Sequence, residues 1–439
     1  MKPCYQVQDA GTARYPGNSM PSTSCSGLEV ALLTGGADKP YAFGLATGLM
    51  AKGVVFDLVA NDELDLPEFR GKANVRFLNL RGDQRPDVSL IRKASRVLTY
   101  YLKLIAYATR SKRPVFHILW NNKFYTFDRT LLTLFYLCLG KKIVLTVHNV
   151  NSGIRDSNDT LLNRLTLRFQ YRRADHLFVH TEMMKTELAS GFGLEPSRIS
   201  VIPFGINNAV PNTPLSRSQA RQRLGLHENE KVILFFGHIT PYKGLEYLVE
   251  AFQRVSVRCP EYRLIIAGRP KNCDSYWELI RDSIEGQVQS GQVLLRADHI
   301  PDEEVELYFK AADVLVLPYR HVYQSGVLFL GYSFGLPVLA ADVGSLKDEI
   351  VDGETGFTFE AGNSADLAQA LLRYFASDLS KDLCRRRKRI QEFAGEGHSW
   401  DLVSEATIKV YSSLVLPVGS KQNRNPQTKP ASLGVKTSE

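Results

Sequence analysis

Short apolar runs rich in Val, Ile and Leu recur along this chain, and helical patterns separate them. Seven runs come first: Leu28–Thr34, Val54–Ala60, Val75–Leu78, Val115–Ile118, Ile143–His148, His176–His180 and Ile199–Ile202. Six more follow a break: Val232–Gly237, Arg263–Gly268, Val293–Arg296, Val314–Pro318, Val338–Ala340 and Gly356–Phe359. A strand with one wet face alternates apolar and polar residues, and these runs do not. Continuously apolar strands spaced by helices need cover on both faces, which makes them strands of parallel sheets. The break, residues 207–229, is polar, carries Pro211 and Pro214, and leads into a short helical pattern near Ser218–Leu224. The expected fold class is therefore α/β, with two doubly wound Rossmann-like domains, 28–206 and 230–395, facing each other across a cleft. The linker is 207–229. Residues 1–26 and 418–439, rich in Gly, Pro, Ser or other polar residues, read as disordered tails.

Composition excludes several classes. With 439 residues, 23% charged and 44% hydrophobic, the chain has ample material for more than one core and is neither collagenous nor a disulfide scaffold. No apolar stretch approaches the roughly 18 residues of a spanning helix; Leu131–Leu139 and Val314–Leu317 are core-sized. The six cysteines (Cys4, Cys25, Cys138, Cys259, Cys273 and Cys384) form no CxxC pair and read as reduced thiols. No apolar signal core precedes Gly27, so the expected location is cytoplasmic. The sequon Asn158-Asp159-Thr160 reads as chance.

The net charge of +8 is partly one run, Arg385-Arg386-Arg387-Lys388-Arg389, in a helical segment. It reads as a solvated helix face or as a contact for an anionic surface. The segment Arg92–Arg113 patterns as an amphipathic helix carrying Arg92, Lys93, Arg96 and Lys103. Such a helix packs one face on a sheet or rests on a membrane, which puts peripheral contact on the inner membrane face among the expectations. No motif with interleaved aromatics points to nucleic acid, so none is expected as a partner.

In open parallel sheets, ligands gather beyond the carboxyl ends of the strands, so the residues that follow each strand are the ones to read. Thr34-Gly35-Gly36 follows the first, before a helix carrying Gly44 and Gly48. It is not GxGxxG, and either tight packing or anion contact accounts for it. His148-Asn149 follows the fifth, where a histidine is either ligand-facing or a satisfied core residue. Phe236-Gly237-His238-Ile239-Thr240-Pro241-Tyr242-Lys243-Gly244 places an ammonium beside a helix start. That suits a diphosphate, because a lysine has no dipole reason to sit there otherwise. Gly268-Arg269 ends another strand on a glycine and a cation. Arg320 follows Val314–Tyr319, and Gln324-Ser325-Gly326-Val327-Leu328 opens a helix whose amides at Gly326, Val327 and Leu328 suit a second phosphate.

In order, the GG loop, TVHN, VIPFGIN (Val201–Asn207), PYKG, LIIAGR, ADVLVLPY and SFGLPVLAADVGSL resemble the family-four (group 1) glycosyltransferases, which are retaining, nucleotide-sugar-dependent enzymes of the GT-B fold. The resemblance covers about Leu28 to Leu414. It implies that Lys243 binds the donor diphosphate, that His148 lies near the transferred sugar, and that Gly35 and Gly36 flank the cleft. It implies too that Gly326 and Val327 hold the distal phosphate, and that residues 396–416 form a terminal helix crossing back to the N-terminal domain. Family members generally need no metal, and this chain has no DxD triplet; no cofactor is expected beyond the co-substrate, a UDP- or GDP-sugar. The acceptor implied is a glycan, a lipid-linked molecule or another envelope or exopolysaccharide species. Two departures stand out. His238 replaces the family's arginine, and the E-x7-E glutamates fall on Tyr323 and Gly331. The chain resembles a branch that lacks those glutamates, with Gln324 and Arg320 as substitute polar contacts. The expected function is retaining sugar transfer. A non-catalytic GT-B binding partner and another GT-B enzyme, such as a nucleotide-sugar epimerase, are the alternatives.

Overall fold

A computed structural model describes residues 27–36, 38–83, 89–155 and 159–415. Both expected tails and Asn158 of the sequon lie outside them. Among the described residues, thirteen strands form two wholly parallel sheets. The first contains β1 (Glu29–Leu33), β2 (Val55–Ala60), β3 (Val75–Asn79), β4 (Val115–Ile118), β5 (Lys142–Thr146), β6 (His176–Val179) and β7 (Ile199–Val201), in the order 3-2-1-4-5-6-7. The second contains β8 (Lys231–Phe236), β9 (Tyr262–Ala267), β10 (Val293–Arg296), β11 (Val314–Leu317), β12 (Val338–Ala341) and β13 (Gly356–Phe359), in the order 10-9-8-11-12-13. Each reverses direction beside its first strand, at β1/β4 and β8/β11, and that crevice is where open α/β sheets bind ligands.

The unbroken hydrophobicity of the strands has its cause in the packing. Along β1, Ala31 and Leu33 enter one apolar cluster while Val30 and Leu32 enter another on the opposite face. Along β6, Leu177 and Val179 go one way and Phe178 the other. Along these two strands all positions but Glu29 are buried whichever way they point, so no polar period survives.

From Thr213 onward the segment 207–229 is tied to the second sheet. Thr213 donates from its backbone N–H and its hydroxyl to Glu306, at 2.8 and 2.7 Å. Arg221, fully buried on the helix Arg217–Arg223, pairs with Asp313 at 2.8 Å and donates to the carbonyls of Ala311, His227, Glu228 and Glu230. The chain passes between the sheets twice, at 204–206 and at 398–400, and the two passes are bonded to each other. Ile206 N–H donates to the His398 carbonyl (3.0 Å) and Trp400 Nε1–H to the Ile206 carbonyl (2.8 Å).

The helix Trp400–Val415 then lies on the helix Lys39–Ala51 of the first unit. A Cβ on Gly44 would stand 1.9 Å from the Trp400 ring and one on Gly48 2.1 Å from Ser404 Oγ. Those two glycines serve helix–helix approach. Of the basic run, Arg387 turns inward, donating to the carbonyls of Phe309, Phe334 and Ala312, and burial lowers its pKa to about 10. Arg385, Lys388 and Arg389 remain exposed.

Candidate active site

Between the sheets lies a cleft of about 380 Å³ at the switch points. Of the sequence-derived candidates, His148, Asn149, Lys243, Gln324, Ser325, Gly326 and Val327 line it. Lys243 closes the 3-10 turn Pro241–Lys243, and Gly244 (φ 65°) starts the helix Leu245–Ser256. A side chain at Gly244 would strike the Pro318 carbonyl at 2.0 Å, so the lysine turn and the β11 loop touch backbone to backbone. The Lys243 side chain is only 6% exposed, its ammonium 5.6 Å from the centre of the Tyr319 ring. Gly237 and Gly268 do not line the cleft but bring the loops together beneath the lysine. A Cβ on Gly268 would lie 2.2 Å from the Gly237 carbonyl, and one on Gly237 2.9 Å from Lys243 Nζ.

The helix Gly326–Ser333 starts on the same wall. Its first amides have no carbonyl a turn earlier to receive them. The Leu328 amide departs from expectation: it already donates to the Ser325 carbonyl at 3.1 Å, and its side chain is fully buried. Gly326 and Val327 are therefore the donors this start offers. Arg320 is placed elsewhere, in an ion pair with Glu246 and over the Tyr247 ring at 5.2 Å. Its backbone N–H donates to the Tyr242 carbonyl at 2.8 Å, so it braces the lysine turn from behind. His238, expected among the catalytic residues, is exposed and does not line the cleft; Arg269, Lys271 and Lys243 lie near it. The partial loss of water around its ring, then those charges, lower its pKa to about 4. The imidazole is thus neutral at pH 7 amid cations that favour an anion.

The positions aligned with the family glutamates need correction. Tyr323 turns out of the cleft to donate to Glu187 at 2.7 Å, joining the core cluster of the first unit. Gly331 is buried against Leu315, where a Cβ would have 2.8 Å. The residues at eight-residue spacing that do face the cleft are one earlier, Val322 and Leu330. Both are apolar, so this wall carries no carboxylate at either point.

On the first unit's side, His148 stacks on Trp120 (4.0 Å between centroids, 2° between planes) and meets Tyr41 edge-on at 4.7 Å. Burial, then His180 and His117, depress its pKa well below the usual 6.5. Its Nε2 has no hydrogen-bond partner, and neither has Gln324 Oε1. Buried polar atoms are almost always satisfied, so two orphans on residues lining one cleft mark a place for a polar ligand. Gly35 (φ 61°) and Gly36 (φ 70°) sit behind this wall. A Cβ on the first would meet the Trp120 carbonyl at 2.3 Å and one on the second the Arg81 guanidinium at 2.5 Å. Tight packing explains the first glycine, and neither lines the cleft.

Sequence reasoning missed the aromatic enclosure of Tyr41, Trp120, Phe204 and Trp400, whose members come from four distant segments. It also missed His180, which bonds to His148. His180 follows β6 as His148 follows β5, so the same end-of-strand signal was available.

The model for Glycosyltransferase Family 4 matches residues 39–210, and that for Glycosyl transferases group 1 matches residues 230–377. A D-inositol 3-phosphate glycosyltransferase of Acidothermus cellulolyticus is 30% identical over 217 residues, 48% of this chain and 48% of that protein. Its counterpart in Kineococcus radiotolerans is 27% identical over 269 residues, covering 58% and 60%. The chain spans about half the length of the curated relatives it matches first. Among solved structures, sucrose-phosphate synthase from Thermosynechococcus elongatus superposes with a TM-score of 0.67 at 20% identity, covering 88% of this chain and 98% of that one. Anabaena HepE in complex with UDP and glucose gives 0.67 at 18% identity, covering 88% and 100%. At those identities the likeness is one of fold, the GT-B arrangement of two facing Rossmann-like sheets.

Proposed function

Because this chain belongs to the group 1, family-four glycosyltransferases, we propose that its cleft binds a nucleotide-diphosphate sugar and transfers the sugar, with retention, to a glycan or lipid-linked acceptor. One observation carries the reading: a buried lysine and a helix start share one wall of a cleft whose other wall carries His148. A diphosphate leaving group needs positive charge and oriented donors as its bond to the sugar breaks, and preorganised ones cost no reorganisation. Lys243 and the amides of Gly326 and Val327 supply them, with Arg269 and Lys271 adding to the potential around His238. That charge stands in for a metal, so transfer proceeds without one. No carboxylate faces the cleft at Val322 or Leu330, which suits substitution on one face of the sugar. There the leaving phosphate takes the acceptor's proton, and the protein's work is orientation and charge stabilisation. Gln324 and His148 contact the sugar. Asn149, with Gly35 and Gly36 behind it, belongs to the acceptor side.

Calorimetric titration with UDP, GDP and ADP, with and without magnesium, tests this reading. One diphosphate is expected to bind at micromolar affinity equally in both conditions. Failure of all three to bind removes the donor site. The apolar Val322/Leu330 wall favours a second reading, a binding partner without catalysis. Nucleotide binding with no turnover of UDP- or GDP-sugars would select it.

The acceptor-side surface supports a membrane-borne substrate. The helix Leu90–Arg110 buries Tyr100, Tyr101, Leu104 and Tyr107 inward, yet Ile91, Leu98 and Leu102 are 84%, 63% and 60% exposed, beside the basic residues Arg92 and Lys103. No helix among the described residues is long and apolar enough to cross a membrane. The protein is expected to sediment with vesicles containing anionic lipid, and Leu98→Asp with Leu102→Asp to weaken this at least about fivefold, since apolar burial and charge act together. Equal sedimentation with neutral vesicles removes the electrostatic part of the proposal.

A further inference from the structure

His148 is held by a short chain of hydrogen bonds that leads away from the cleft. His180 Nδ1 lies 3.3 Å from the Ile202 carbonyl oxygen, and His180 Nε2 lies 3.2 Å from His148 Nδ1. A backbone carbonyl only accepts, so the proton of the neutral His180 ring sits on Nδ1 and its Nε2 is a bare acceptor. His148 Nδ1 then donates to it, which leaves His148 Nε2 as a lone pair, the Leu119 carbonyl beside the ring making no hydrogen bond to that atom. Nε2 is the atom that finds no partner within the protein. The rings around the pair, Tyr41, Trp120 and Phe204, carry no charge that would hold either histidine as a cation.

We propose that His180 is a positioning residue that fixes the tautomer of His148, so that the cleft presents a hydrogen-bond acceptor at this point. The proposal rests on the donor-site reading and narrows it. A bare imidazole nitrogen receives a hydroxyl proton and repels a carboxylate or phosphate oxygen. The part of the substrate lodged there is therefore a hydroxyl-bearing, uncharged portion of the sugar. Two strand ends, after β5 and β6, and the Ile202 carbonyl after β7 form the relay, so three neighbouring strands set the polarity of one cleft atom.

The test is a two-bond proton–nitrogen spectrum of the full chain labelled with ¹⁵N-histidine at pH 7.5, assigned with His148→Gln and His180→Gln. His148 is expected with its proton on Nδ1 and an unprotonated Nε2. In His180→Ala that preference should fade into a mixture of tautomers. In His180→Gln it should persist for His148, because the amide oxygen can still accept from Nδ1. A proton on Nε2 of the unmodified protein, or an unchanged spectrum in His180→Ala, overturns the proposal, and the first measurement needs no variant to fold. In turnover assays with whichever of UDP-glucose, GDP-mannose and ADP-glucose is consumed, His180→Ala should raise the donor KM about tenfold, one hydrogen bond's worth, with His180→Gln recovering most of it. An unchanged KM in His180→Ala counts against the positioning role. If none of the three is consumed, the donor reading fails while the spectrum still decides the tautomer.

Discussion

Lowering the pH from 7.5 to 5 is expected to strip on the order of 5 kcal/mol from the first unit and to lower its thermal midpoint by about 10 °C. Three histidines, His117, His176 and His180, are buried on or just beyond the strands of one sheet, and a fourth, His148, is half-buried at the cleft. Burial, then neighbouring histidine, lowers His117 to about 3; burial, then Arg198, lowers His176 to about 4; burial lowers His180 to about 4 and sends His148 well below 6.5. They are satisfied as neutral rings: His117 bonds to Tyr411 Oη (2.6 Å) and Thr146 Oγ1 (2.8 Å), and His176 to Ser200 Oγ (2.9 Å). The unfolded chain takes up protons as pH falls through about 6.5, while the folded chain resists until the depressed values are reached. Between those limits the unfolded state binds more protons, so stability falls with pH. His117, His176 and His180 each contribute about 2 kcal/mol of that loss at pH 5, and His148 acts in the same direction. Asp128 runs the other way. Burial raises its pKa to about 6, so the folded state gains a proton first and recovers a little over about 1 kcal/mol by pH 5. Asp38, also raised but open to the cleft, adds less. Melts followed by circular dichroism at the two pH values decide the matter, and coincident midpoints would sink the account. His176→Gln, which keeps a polar group beside Ser200, should reduce the pH-dependent loss by about 2 kcal/mol.

Replacing Lys243 with alanine should weaken nucleoside diphosphate affinity between about tenfold and a hundredfold, the range for one hydrogen bond to a charged group. Lys243 has 6% exposure and lies on the cleft wall, so its charge is screened less than a surface lysine's would be. Lys243→Arg should rescue poorly. The space around Nζ is bounded by Gly237, where even one added carbon would come within 2.9 Å, and a planar guanidinium is wider than an ammonium. Because the lysine sits in a short 3-10 turn braced by Arg320, the fold should be unaffected, and melting serves as the control. Titration showing unchanged affinity in Lys243→Ala would falsify the phosphate role and with it the carrying observation for the donor site.

Much of this was legible in the residues. Continuous Val/Ile/Leu runs separated by helices can only be covered from both faces, and all thirteen runs became parallel strands with ends shifted by a residue or two. The lysine turn was legible too, since its glycines, proline and charge act over a few neighbouring residues. Where contacts are distant, the sequence was silent. Nothing local distinguishes Tyr323 reaching Glu187, or Arg320 pairing with Glu246, from side chains turned into the cleft; one residue of helical rotation separates Leu330 in the cleft from Gly331 behind it. Leu328 was counted as an anion donor because a helix start leaves amides open, and the turn at Ser325 had already taken that one.

What the sequence determined by itself is therefore the two-sheet architecture and the chemistry held within short loops, because both follow from periodicity and from groups a few bonds apart. The tertiary structure alone decided which histidine nitrogen faces a ligand and which residues enclose it. The hydrogen bonds from Ile202 through His180 to His148, and the rings of Tyr41, Trp120, Phe204 and Trp400, come together only when strands and helices far apart in the chain are packed side by side.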